Sequence, residues 1–116
     1  MNPKIVEKPW GNFKQYVSNE KCTVKIITVR PNQKLSLQSH EKRDEIWVVL
    51  DSGLEIVVGS KTSRPNPGDQ FFIPKKTKHR LSSLAKEGRV LEISLGEFNE
   101  EDIIRYEDVY GRVTSQ

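Results

Sequence analysis

The chain reads as a small all-β domain, a sandwich or barrel, on three observations. Residues 23–96 divide into short runs rich in β-branched residues, with no helical stripe among them. The runs recur at roughly 8–12-residue intervals, the spacing of strands in sandwiches and barrels. Clusters of Gly, Pro, Asn, Asp and Ser punctuate them, as turns require.

The first run is Thr23 to Arg30, closed by Pro31-Asn32-Gln33. Lys34 to His40 then alternates, which puts Leu35 and Leu37 on one face and Ser36, Gln38 and His40 on the other. Glu45 to Leu50 and Leu54 to Val58 form the next pair, joined by Asp51-Ser52-Gly53. After the turn-forming loop Arg64 to Asp69 come Gln70 to Pro74, His79 to Leu84 and Arg89 to Leu95, about seven strands in all. Asn99 is placed to cap one short C-terminal helix, because Glu100, Glu101 and Asp102 would follow at the positive end of its dipole. Tyr106 and Tyr110 would pack that helix on the sheet.

At 116 residues the chain, 1–116, is one domain with no room for a second, and no internal repeat or linker divides it. Hydrophobic residues make up 34% and Gly adds 7 residues, so the core is lean and help from a bound metal or a second subunit is expected. A net charge of +3 is too balanced to suggest nucleic acid or a membrane surface. The longest apolar run, Ile46 to Leu50, is far too short to cross a bilayer. The single Cys22 excludes an internal disulfide framework, and it reads as a small buried apolar residue in a cytoplasmic protein. Trp10 and Trp47 read as core or interface material.

Chemistry concentrates around the only two histidines. Gln38 and His40 point the same way, and Glu45 follows a charged segment, Glu41-Lys42-Arg43-Asp44. A five-residue offset would put His40 and Glu45 on opposite faces of one strand, so a turn or bulge must intervene for both to face inward. His79 opens a later strand after Gly68 and Pro74. Imidazole nitrogens with hard oxygen donors suit Zn²⁺, and also Mn²⁺, Fe²⁺, Co²⁺ or Ni²⁺.

These residues carry a resemblance to the cupins, small antiparallel barrels or jelly rolls whose two motifs bring metal ligands to the barrel mouth. Gly68, Pro74 and His79 match the second motif at each spacing, and Gln38-Ser39-His40 followed by Glu45 resembles the first. Gln in the first place, with Lys8-Pro9-Trp10-Gly11, Leu35 to Gln38 and the tail Asp102 to Arg112, resembles the type II phosphomannose isomerases. Members of that family occur alone or as the C-terminal half of chains with a mannose-1-phosphate nucleotidyltransferase. The similarity runs from about residue 6 to 113. It departs at Glu41 and Lys42, where the family has further histidines, at Lys76, where it has Gly, and by one residue added before Gly53.

The resemblance implies one divalent ion on Gln38, His40, Glu45 and His79, with Zn²⁺ the leading candidate and a neutral Gln leaving the ion a stronger Lewis acid. It implies a mannose-6-phosphate isomerase that moves a proton between adjacent carbons through an enediolate. Arg43 would bind the substrate or its transition state, since a guanidinium is a fixed fork for oxyanions. Lys76, Lys78 and Arg80, which flank His79 with Lys75, would meet the sugar phosphate together with Arg112. Glu41, Lys42 or a hydroxide on the ion would carry the proton. A homodimer is expected. The competing readings are a noncatalytic cupin that binds a sugar or sugar phosphate around a structural metal, and a cupin enzyme acting on another small substrate, such as a dioxygenase that would need redox-active iron and consume O₂.

Overall fold

The computed structural model describes residues 3–114, and within them every regular element is a strand. The N-terminal hairpin is β1 (Lys4–Lys8) with β2 (Gly11–Gln15). Then come β3 (Cys22–Val29), β4 (Leu37–Ser39), β5 (Glu45–Val49), β6 (Leu54–Val58) and β7 (Lys61–Ser63). The chain ends with β8 (Gln70–Ile73), β9 (His79–Ser83), β10 (Gly88–Leu95) and β11 (Ile104–Glu107). Two antiparallel sheets face each other, one ordered β3-β10-β5-β8 and the other β11-β4-β9-β6-β7. No helix among the described residues is long and apolar enough to cross a membrane.

One end of the space between the sheets is apolar. Val29, Trp47, Val49, Leu54, Ile56, Ile73, Leu81 and Val90 pack there as one buried cluster. The inward rows of β5 and β10 begin apolar and end polar. Val49 and Trp47 lead to Glu45, and Val90 leads to Glu92 and Ser94, all of them buried. Period-two alternation therefore carries charged groups into the opposite end of the same interior. That end is the site.

A second apolar layer lies outside the four-stranded sheet. Ile46, Val48 and Ile93 are buried beneath Tyr16 and Val17 of the connection from β2 to β3, with Cys22 packed alongside. The hairpin β1–β2 forms a two-stranded sheet of its own, and its Ile5, Trp10 and Phe13 are exposed, Trp10 at 74%. Of the two roles expected for the tryptophans, Trp47 takes the core one, and Trp10 lies exposed on the hairpin.

The structure corrects three expectations. No C-terminal helix forms: Glu101 N–H donates to Asn99 Oδ1 at 2.9 Å, so the cap is made, but only a turn follows it. The chain then enters β11, which pairs with β4 at Ile104↔Ser39 and Arg105↔Gln38, because β-branched Ile103 and Ile104 suit a sheet edge better than a second helical turn. Tyr106 accordingly binds Ser39 Oγ at 2.8 Å from the sheet. Alternation from Lys34 to His40 is also broken. The strand pairs with β9 at Lys34↔Ser82 and Gln38↔His79, four steps against three, and the extra residue turns Leu35 inward toward the core. Third, β1, β2, β7 and β11 raise the strand count beyond the seven expected.

Candidate metal centre

Three elements converge on the polar end. β4 and β9 are hydrogen-bonded neighbours, and Gln38 sits directly opposite His79. From His40 the chain leaves the five-stranded sheet, and after Arg43 and Asp44 it enters β5 in the facing sheet. This crossing is the interruption that the five-residue offset demands. It sets His40 and Glu45 on opposite walls, looking at each other.

His40, Glu45 and His79 are 2%, 0% and 1% exposed, and one ligand atom from each lies within 4.8 Å of the others. Each ring nitrogen has a defined role. His40 Nδ1 is 2.7 Å from the Asp102 carbonyl and His79 Nδ1 is 2.9 Å from that of Thr77. A carbonyl only accepts, so both Nδ1 atoms carry the proton and both Nε2 atoms hold a lone pair. Backbone carbonyls holding the remote N–H are the arrangement that orients metal-ligating imidazoles. His40 Nε2 is 3.4 Å from Glu45 Oε2, and His79 Nε2 is 3.8 Å from Glu45 Oε1. Donors on an ion with bonds of about 2.1 Å lie roughly 3–4 Å apart, so the spacing fits.

His79 Nε2 supplies an independent test, since it is buried with no hydrogen-bond partner among the described residues. A buried lone pair left unmatched costs free energy that a cation would recover. Burial lowers the pKa of both histidines, which keeps them neutral and competent as ligands at pH 7. Burial raises the Glu45 pKa, but His40, the Arg43 hydrogen bond and His79 outweigh it, and the carboxyl falls below its ordinary range. Trp47 Nε1 donates to Glu45 Oε1 at 3.1 Å and the indole stands edge-on to His79, which fixes both side chains.

Gln38 joins the cluster through its amide, whose Nε2 is 3.5 Å from His40 Nε2, while Oε1 accepts from Ser36 Oγ at 2.7 Å. A hydroxyl can donate or accept, so Ser36 satisfies either amide orientation, including the one that turns Oε1 toward the histidines. The residues present fit a divalent ion.

Arg43, only 6% exposed, lies across the cluster. Its Nε donates to Glu45 Oε2 at 2.8 Å, Nη1 to the Asn99 carbonyl at 3.1 Å, and Nη2 contacts His40 Nε2 at 3.3 Å. Phe98 covers the guanidinium at 4.6 Å. Of five N–H donors, two remain for a ligand.

Beside the cluster is a cavity of about 190 Å³ lined by Gln38, His40, Arg43, Lys25, Glu92, Arg105 and Arg112, among others. Arg112 of the expected phosphate contacts is therefore present, held by Asp108 through Nε–Oδ2 at 2.7 Å and Nη2–Oδ1 at 3.1 Å. Lys76, Lys78 and Arg80 do not line it. Lys76 is exposed, Lys78 lies over the Tyr106 ring at 4.2 Å, and Arg80 binds the Leu35 carbonyl and Glu107. They follow β9 along the five-stranded sheet, where alternation turns Lys78 and Arg80 opposite to His79. Glu41 and Lys42 are exposed too, their backbone N–H groups donating to the Asp102 carboxylate.

The cavity also holds Lys25, Glu92 and Arg105, which sequence reasoning missed. Their signal was present but quiet: Lys25 and Glu92 are single charges within apolar runs, in the same alternation as Ile27 and Val90. Arg105 sits opposite Gln38 in the β4–β11 ladder, and its Nε is buried without a partner among the described residues.

Facing antiparallel sheets with a His–Glu–His cluster at one end of their interior define a cupin with a site that could hold a cation. Solved structures agree on the fold. KdgF from Halomonas sp. superposes with a TM-score of 0.65 at 19% identity over 85% of this chain and 81% of that one. CapF from Staphylococcus aureus, a capsular polysaccharide assembling protein, gives 0.68 at 13% over 90% and 34%. The sequence matches the model for the mannose-6-phosphate isomerase C-terminal family across residues 2–108, and the chain belongs to that family. It is 36% identical to the alginate biosynthesis protein AlgA of Pseudomonas aeruginosa, over 92% of this chain and 23% of that protein. It is 34% identical to the mannose-1-phosphate guanylyltransferase ManC of Salmonella typhimurium, over 93% and 23%. The chain thus spans about a quarter of the length of these relatives.

Proposed function

We propose that this domain is a metal-dependent aldose–ketose isomerase that interconverts mannose 6-phosphate and fructose 6-phosphate. The observation that carries the reading is the meeting of His40 Nε2, Glu45 and His79 Nε2 beside a cavity lined by four cations, Lys25, Arg43, Arg105 and Arg112. Gln38, His40, Glu45 and His79 would hold the ion, Zn²⁺ first among the candidates. Such an ion supplies Lewis acidity to adjacent carbonyl and hydroxyl oxygens.

The protein's own groups do the rest. Arg43 is clamped by Glu45 and Asn99, so its free N–H donors are positioned before the substrate arrives, the condition under which an oxyanion of an enediolate is best stabilised. Arg105 lines the cavity and its Nε is buried with no partner among the described residues, and a phosphate oxygen is an acceptor its guanidinium would take. Lys25 and Arg112 add charge without competing for that contact.

A second copy of the chain is the partner we propose. β3 is an edge strand with Val24 and Ile26 exposed, and the hairpin β1–β2 stands free with Ile5, Trp10 and Phe13 uncovered. An open edge and a free hairpin of matching apolar character support pairing between copies.

The deciding experiment is turnover. Metal-loaded protein given mannose 6-phosphate should yield fructose 6-phosphate, lose activity on chelation and regain it with Zn²⁺ or Co²⁺. Binding without turnover would replace the enzyme with a sugar-phosphate-binding module, and O₂ consumption would point to an oxygenase.

A further inference from the structure

An isomerase needs a group that takes a proton from one carbon and returns it to the next. Glu41 and Lys42 are exposed and outside the cavity, Glu45 is committed to Arg43 and Trp47, and Glu100 is an exposed partner of Lys25 at 3.0 Å. One cavity carboxylate remains. Glu92 is 4% exposed, yet among the described residues its only close partner is the Ser94 hydroxyl at 3.2 Å, with Lys25 Nζ 3.9 Å away. It projects from the middle of β10 and lines the same cavity as Gln38, His40 and Arg43. A carboxylate so poorly compensated has no structural advantage over an apolar residue of its size.

We propose that Glu92 is the acid–base group that carries the proton, an assignment that rests on the isomerase reading. Its carboxylate takes the proton from C2 of the aldose. The C2–H electron pair forms the C1=C2 bond, and the carbonyl pair moves onto O1. The O2 proton passes to O1, and the Glu92 carboxylic acid returns its proton to C1 as the O2 charge closes the C2=O bond. Every atom and electron pair stays in the substrate or on Glu92. The charged groups facing Glu92 are Glu45 from β5, Lys25 from β3 and Arg43 from the crossing segment. In the metal-free protein burial, followed by the Glu45 charge, pushes its carboxyl up to about 7.

The test is Glu92→Gln, which keeps shape and removes the proton site, with Glu92→Asp as the conservative variant. Zinc content, circular dichroism, kcat, KM and exchange of the C2 hydrogen with D₂O are measured together. The expected result is full zinc and unchanged KM, kcat lower by roughly 10²–10⁴-fold, C2 exchange lost in parallel, and partial recovery in Glu92→Asp. Wild-type turnover with kcat and exchange in Glu92→Gln within about threefold of wild type overturns the assignment and leaves the isomerase standing. Zinc binding by the wild type with no turnover brings both down. Loss of zinc or fold in Glu92→Gln, with kcat per bound zinc unchanged, makes Glu92 a structural group and also overturns the assignment.

Discussion

His79 Nε2 and Glu45 Oε1 lie 3.8 Å apart across the interior, one from each sheet, and the nitrogen has no hydrogen-bond partner among the described residues. A cation between the sheets would join their two walls, so metal binding and folding stability should be linked. His79→Ala should weaken zinc binding by at least about 100-fold and abolish turnover while the far-UV spectrum stays that of a β protein. Calorimetry supplies the check: at about 100 times Kd, bound zinc adds about 2.7 kcal/mol to the wild type, so chelation should lower its Tm and leave the variant's unchanged.

Arg105 makes a separable prediction. Its buried Nε has no partner among the described residues, whereas Arg112 is already tied to Asp108. Arg105→Met should raise KM for mannose 6-phosphate by about 10- to 100-fold, the worth of one charge-assisted hydrogen bond, with kcat nearly constant. Steady-state kinetics with mannose alongside would show the phosphate's part, because unphosphorylated sugar should not distinguish variant from wild type.

Lys76 bears on how the second motif is held. Its φ is +67°, a left-handed conformation that costs a side-chain-bearing residue about 1 kcal/mol, and its N–H donates to the His40 carbonyl at 2.6 Å. The backbone, not the lysine side chain, ties the His79 loop to His40. Lys76→Gly keeps that N–H and relieves the strain, so it should raise Tm by about 2–5 °C and leave KM unchanged. A large rise in KM would return the Lys76 ammonium to the phosphate site.

These residues show what was legible in the sequence. The two histidines and Glu45 could be picked out because imidazole is scarce in this chain and their spacing matched two motifs. Lys25 and Glu92 gave only a quiet signal: alternation groups them with Ile27 and Val90, but which face of the strand is buried is not decided until the strand's partners fix it. The same limit shaped the fold. β5 and β10 were readable from Ile, Val and Leu, but β1 and β2 bury little and β7 has three residues, so none leaves a hydrophobic pattern. Asn99 gave a true capping signal, and the sheet edge at β4 took the residues after it.

The exposed hairpin predicts assembly. Size-exclusion chromatography with light scattering should give about twice the 13.4 kDa chain mass. Replacing Trp10 and Phe13 together by Ser should return the monomer without unfolding it, since neither residue belongs to a buried cluster. A wild-type monomer at high concentration would refute pairing through this surface.

Stability against pH separates the buried acid from the buried histidines, because their shifts act with opposite sign. Below pH 4.5 Glu92 is protonated in folded and unfolded chains alike and contributes nothing. Between 4.5 and about 7 the unfolded chain releases the proton while the folded one retains it, so stability falls as pH rises, by about 3 kcal/mol once pH exceeds 7. His40 and His79 have lowered values, so their contribution is complete above the unfolded pKa of 6.5 and is lost as pH falls below it. Metal-free Glu92→Gln should therefore match the wild type near pH 4.5 and exceed it by about 3 kcal/mol at pH 8, while both keep the histidine-driven decline in acid. Denaturant titrations at each pH would measure the gap, and parallel curves would show that Glu92 ionises as freely in the fold as in water.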